Sequence, residues 1–172
     1  MTQEEATAAF ERLAEIHQSQ DPTRLPEVFA EDVVYEDDGL PETARGRAQL
    51  EAFFAGVWRA FPDFRVELVH GPYVSTQEDG FALLGLVSGT MEGPLVPPGL
   101  APTAGPMSTS FAGFYEMQNR LIRRARIVIN TYELATQLGA SPEPDSSSER
   151  LVVAFQRLRA RRLRRRNRRR GR

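Results

Sequence analysis

Cysteine is absent from the 172 residues. That removes disulfides, thiolate metal sites and a cysteine nucleophile. Lysine is absent too, so all 22 basic side chains are arginine, and histidine occurs only twice. No apolar run approaches the ~20 residues that a membrane-spanning helix needs. The opening stretch, MTQEEATAAFERLAEIHQ, is acidic and helical, unlike a secretory signal, and the expectation is a soluble, cytoplasmic protein. Net charge is also small, −1, but it hides a division. Residues 1–149 hold all 23 acidic groups and ten arginines, a net −13, whereas residues 150–172 hold twelve arginines and no acid, a net +12.

What is present is enough apolar material for one compact domain, 41% hydrophobic with 26% charged. Thr2 and Glu5 form a capping box, and Ala6, Phe10, Leu13 and His17 follow at helical spacing. A short helical piece is expected near Leu25–Phe29 and a strand near Val33–Asp37. Leu50, Phe53, Phe54, Val57, Trp58 and Phe61 form a helical stripe that Pro62 ends. Beyond it the period changes to two. Phe64, Val66 and Leu68 share one face of a strand, and 81–91 is apolar on both faces like a covered strand. A proline- and glycine-rich loop spans 93–106. Strands at 107–117 and 121–130 turn at Gln118-Asn119, and a short helix follows before Gly139. Helices first and then an antiparallel meander predict an α+β fold, with the domain at 1–139. Residues 140–149 read as a linker. The expected C-terminal element, 150–172, is an Arg-rich helix, amphipathic at its start through Leu151, Phe155 and Leu158 and frayed or disordered at its end.

Helices laid across a strongly curved antiparallel sheet make a cone with an apolar interior, a site for a small hydrophobic molecule. The segments GRAQLEAFFAGVWRAFPDFRVEL, SGTMEGPL, PPGLAPTAG and NRLIRRARIVINTYELATQLG resemble the SnoaL-like polyketide cyclases, also called ester cyclases, of the nuclear transport factor 2-like superfamily. The resemblance covers about residues 5–139. It implies the cone fold and intramolecular aldol-type closure of a hydrophobic polyketide ester, without metal or organic cofactor, by an acid/base carboxylate and groups that stabilise an enolate. The family's catalytic aspartate falls nine residues before the glycine of QLG, which is Asn130 here. Its frequent histidine falls at Met91, the PTGR loop reads PTAGP, and the glycine of the hairpin turn is Arg120.

Asn130 can donate to an enolate oxygen but cannot act as the base. Alternation places it with Arg124, Arg126 and Val128, opposite the apolar face of Leu121, Ala125, Ile127 and Ile129. It reaches the pocket only if the strand twists or bulges. Two other groups are candidates for the proton-handling role. Asp37, between Glu36 and Asp38, could sit at the cone mouth, or the three could be a solvated acidic cluster; no neighbouring histidine suggests a metal. His17 lies on the apolar side of the first helix, as a core-edge residue or in the pocket. His70 reads as a surface residue. Tyr35 and Trp58 are core or pocket wall. Tyr115, alternating with Phe111, Gly113 and Met117, could turn its hydroxyl inward. Tyr132 is two residues from Asn130, and Met91 is at most a soft wall residue.

Two functional classes remain open: a cyclase or isomerase, and a binding protein that kept the cone and lost the acid/base pair. For partners the candidates are a small hydrophobic molecule and a second copy of the chain. The tail suits phosphate chains of nucleic acid or an anionic membrane, or the acidic body of another copy. An extension with no specific role is the plain alternative. No aromatic residue follows Phe155, so base stacking has no support.

Overall fold

The computed structural model describes residues 1–39, 42–96 and 99–170, with the side chains of 161–170 left out. Helix α1 (Gln3–Ser19) begins at the expected capping box. Thr2 Oγ1 accepts from the Glu5 amide at 3.2 Å, and the Thr2 amide donates to Glu5 Oε2 at 2.8 Å. Its buried stripe is Ala6, Ala9, Phe10, Leu13, Ile16 and His17. A 3₁₀ turn at Pro22–Glu27 follows. The helical piece expected near Leu25–Phe29 therefore ends earlier, and Phe29 opens strand β1 (Phe29–Asp37). Two prolines in the turn, one of them internal, limit it to 3₁₀ geometry.

After the two-residue β2 (Ala44–Arg45), helix α2 (Arg47–Ala60) buries Leu50, Phe54 and Trp58. Then come β3 (Arg65–Val74), β4 (Gly80–Thr90), β5 (Pro106–Gln118), β6 (Leu121–Ile129), α3 (Thr131–Gln137) and α4 (Ser147–Arg170). The fold is α+β, as expected. The six strands lie in the order β2-β1-β6-β5-β4-β3, antiparallel except where β1 runs parallel to β6.

Register shifts supply the curvature, since an extra residue in one strand bends it. They occur in β1 between Phe29 and Val34, in β3 on both sides of His70, and between β5 and β6 at Glu116/Met117. The one between β5 and β6 moved a side chain from its expected face. Arg123 is the extra residue in β6, so Met117 pairs with Ile122 and the fully buried residue is Ile122 rather than Leu121. Phe64 and Val66 line the cavity on the concave side, whereas Leu68 of β3, in unbroken register with Val66, is 38% exposed and lies outside the cavity's lining. His70 is exposed, as read.

The β5–β6 turn carries Asn119 and Arg120 at φ 51° and 65°, the left-handed pair that a tight hairpin demands. Arg120 holds this position without the freedom of glycine. Gly85 and Gly113 face the concave side of the sheet. A Cβ at Gly85 would collide with the Phe111 ring, and one at Gly113 would lie 2.6 Å from the Tyr115 ring and hydroxyl. The missing side chains therefore let two aromatic rings lie flat across β4 and β5.

Candidate functional site

The concave face, α1, α2 and α3 enclose a cavity. Its lining comes from α1 (Leu13, His17), β1 (Tyr35, Asp37), α2 (Phe53, Phe54, Val57), the sheet (Val66, Val87, Phe111, Tyr115, Ile127, Ile129) and α3 (Leu134), with Leu138 just beyond. The lining encloses a concave, largely apolar space open at its mouth, the kind of site that takes a small molecule. Among the described lining residues, mostly apolar, the ionisable ones are His17, Tyr35, Asp37 and Tyr115.

Asp37 reaches the cavity because strand alternation turns it away from its acidic neighbours. Glu36 pairs with Arg124 at 3.2 Å and Asp38 with Arg126, both across the β1–β6 pair. The acidic run thus divides between two faces. Asp37 is half-buried; its Oδ1 accepts from the Gly39 amide at 2.7 Å and its Oδ2 from the Tyr35 hydroxyl at 3.5 Å. Burial is the largest influence on its carboxyl and the Asp38 charge adds to it. Together they outweigh the Gly39 and Tyr35 hydrogen bonds and Arg126, so Asp37 titrates above the ordinary 3.8. Tyr35 and Tyr115 are buried, and burial, then the Asp37 charge, pushes both phenols up. They stay neutral donors at any working pH. Tyr115 stacks on Phe81 at 4.7 Å and lies over Gly113.

His17 is held by rings: Phe54 edge-on at 4.7 Å, Phe64 at 5.5 Å and Trp58 at 6.0 Å. The Trp58 indole nitrogen donates to His17 Nδ1 at 3.4 Å. An indole N–H can only donate, so Nδ1 is the acceptor and the imidazole proton sits on Nε2. No fully buried side-chain nitrogen or oxygen among the described residues lacks a partner. Nε2, which has none among the described residues, is therefore not fully enclosed, and His17 lines the cavity. Burial lowers the pKa of His17 to about 4, so it is a neutral donor.

This has a measurable consequence for stability. The unfolded chain protonates its histidines near 6.5, whereas folded His17 resists protonation down to about 4. Between those values the unfolded state binds more protons, so stability falls as pH drops from 6.5 towards 4, by up to about 3 kcal/mol. Urea titrations over that range, compared with His17→Leu, should show a slope in the wild type that the variant lacks. Parallel curves would mean that His17 is solvated and titrates normally.

The other expected site residues lie elsewhere. Trp58 is buried behind His17 and does not line the cavity, so it acts on the cavity through the imidazole. Met91 is fully buried, its sulfur accepting from the Thr103 hydroxyl at 3.8 Å, and does not line the cavity. Tyr132 is 55% exposed on α3. Asn130 is exposed and caps α3: its Oδ1 accepts from the Glu133 amide at 3.2 Å and its Nδ2 donates to Glu133 Oε2 at 3.4 Å. β6 stops at Ile129 and Asn130 starts the helix, so the twist or bulge at the strand's end that would have carried Asn130 into the pocket is replaced by the cap. The α3 connection is anchored further by Thr109, which donates to Glu133 at 2.7 Å, and by Gln137, bonded both ways to the Ser108 backbone. Leu134 and Leu138, which sequence reasoning left unassigned, are thereby placed on the cavity; only their helical spacing of four hinted at it. Asn130→Ala should cost about 1 kcal/mol in denaturant unfolding, as lost N-caps do, and leave the cavity's ligand affinity close to wild type. A tenfold loss of affinity would return Asn130 to the site.

Among the described residues no group of three or more histidine or acidic side chains is placed to hold a metal ion.

The sequence finds no match among curated proteins. Several solved structures share the fold. TsrD from Streptomyces laurentii has a TM-score of 0.70 at 16% identity, covering 82% of this chain and 99% of its own. IdmH from Streptomyces antibioticus, proposed as a polyketide cyclase, has 0.64 at 20%, covering 78% and 98%. A protein from Catenulispora acidiphila with a ketosteroid isomerase-like fold has 0.62 at 18%, covering 76% and 92%. At such identities these likenesses establish the fold alone. The family assignment comes from the sequence itself: residues 7–138 match the model of the SnoaL-like polyketide cyclases. That span runs from α1 to the end of α3 and takes in every ionisable residue of the cavity, so the chain belongs to the SnoaL-like polyketide cyclase family.

Proposed function

We propose that the chain is a cyclase or isomerase acting on a small hydrophobic carbonyl compound, with Asp37 as its acid/base group and Asn130 outside the reaction. One observation carries this reading: a single carboxylate, raised above its ordinary pKa, opens into an otherwise apolar cavity beside two neutral phenols. Asp37 as carboxylate takes a proton from carbon next to a carbonyl. The tyrosine hydroxyls and His17 Nε2–H supply hydrogen bonds for the enolate oxygen, which are worth most in a water-poor site. In the aldol version the enolate carbon then bonds to a second carbonyl of the same molecule, and the resulting alkoxide takes the proton back from Asp37. In the isomerase version the proton returns to another carbon of the same enolate. Neither route consumes a co-reactant, so the proposal includes no cofactor. The elevated carboxyl pKa suits a group that must both take and return a proton.

The test is an aromatic polyketide ester with a side-chain ketone, incubated with pure protein in deuterated buffer. Ring closure above background, or wash-in of deuterium next to the carbonyl, is the expected result. Saturable binding with neither outcome would make the protein a carrier that kept the cone without the chemistry, and the family's aspartate at the Asn130 position would then be the missing part.

A further inference from the structure

Helix α4 has an apolar ridge that no described residue covers. Leu151, Phe155 and Leu158, spaced i, i+4 and i+7, are 73%, 67% and 50% exposed, and Val152 beside them is 54% exposed. Three large apolar side chains in one row on a water-exposed helix mark an interaction face. The same segment, residues 150–172, carries twelve arginines and no acidic residue. We infer that α4 is a peripheral anchor for an anionic lipid surface, its ridge set at the acyl boundary and its arginines on the lipid phosphates.

Both halves of the helix are needed to select this partner. Phosphate chains of any kind would attract the arginines, but nucleic acid offers nothing to Leu151, Phe155 and Leu158, and the segment has no aromatic residue beyond Phe155 to stack on bases. A bilayer surface accepts both, since amphipathic cationic helices lie in its interface with the apolar face down, and arginine stems reach up to the headgroups. Another copy of the chain fits less well. The exposed apolar patch on the convex side of the sheet, around Phe114 (51% exposed), carries Glu78 and Glu116 beside Arg124 and Arg126, two charges of each sign, so it lacks the unbroken negative charge that an anionic lipid surface offers to arginines. The stretch between α3 and α4, with Pro142 and Pro144, separates the acidic cone from the helix, so the cone need not approach the anionic surface that the helix occupies.

The experiment is flotation of the full chain with vesicles of phosphatidylcholine alone or mixed with phosphatidylglycerol, at physiological salt. The companion variant is Leu151→Gln/Phe155→Gln/Leu158→Gln, which keeps every arginine and, with glutamine, the helix propensity. Melting of the cone serves as the folding control. The wild type should float with the anionic vesicles only, and the variant's bound fraction should fall at least ~10-fold. The proposal is overturned if the wild type stays unbound. It is also overturned if the variant floats equally well while both proteins hold duplex DNA alike, because charge alone would then account for binding. A wild-type oligomer that the variant dissolves, with flotation unaffected, would assign the ridge to a second copy and overturn it too. None of these outcomes depends on turnover in the cone.

Discussion

Asp37→Asn should lower turnover of a cyclisable substrate by about 10² to 10⁴, the usual contribution of a positioned acid/base group. The substitution preserves shape. The carboxamide oxygen can still accept from the Gly39 amide, which lies 2.7 Å from the present Oδ1 of Asp37, and the carboxamide nitrogen can donate to the Tyr35 oxygen. Only the capacity to take a proton is lost, so KM should change little while kcat falls. In the wild type, kcat/KM should rise with pH through a transition above 3.8, because the base must be ionised and burial raises its pKa. His17, neutral down to about 4, should contribute nothing to the profile at neutral pH. Asp37's own contribution to stability should run opposite to activity, and opposite to that of His17. A carboxyl whose folded pKa lies above its unfolded value supports the fold at low pH, and that support is lost as pH rises through the folded pKa. At pH 7 the ionised Asp37 is therefore a burden, and Asp37→Asn should melt no lower than wild type. A variant that keeps full turnover would remove Asp37 from the catalytic role, and one that melts well below wild type would overturn the argument that its ionised form burdens the fold.

Phe54→Ala should cost about 3–5 kcal/mol, the range for deleting a fully packed ring. Phe54 is 2% exposed and stands at the centre of an aromatic cluster. His17 lies 4.7 Å from it, Phe53 5.5 Å, Tyr35 5.6 Å, Trp58 5.7 Å and Phe29 6.1 Å. The ring joins α2 to α1 and to β1, so its removal opens a void against three elements and frees two of the polar residues that line the cavity. Urea unfolding followed by far-ultraviolet circular dichroism should show the midpoint fall at unchanged slope. The comparison is Phe114→Ala on the convex face, where half the ring is already in water and the loss should stay below about 1 kcal/mol. Equal costs at the two positions would mean that the cluster around Phe54 is not the core.

Much of the fold was legible from local periodicity. The Leu50–Phe61 stripe, the capping box at Thr2 and the alternation of Phe111, Gly113 and Tyr115 depend on a few consecutive residues, and each helix or strand must turn one such face inward whatever its neighbours are. Alternation also separates Asp37 from Glu36 and Asp38. It does not say which face is inside. That depends on β1 lying beside β6, where Glu36 and Asp38 meet Arg124 and Arg126 and leave Asp37 to the cavity. The reach of Asn130 depended on where β6 ends, and the start of α3, which Asn130 caps, decided it. Likewise the tautomer of His17 was settled by Trp58, 41 residues away in sequence. Hydrophobic spacing is a property of short segments and survives in the sequence alone. The face on which a polar group falls, the partner that orients it and the burial that shifts its pKa come from segments far apart in the chain, and these only the packed sheet and helices determine.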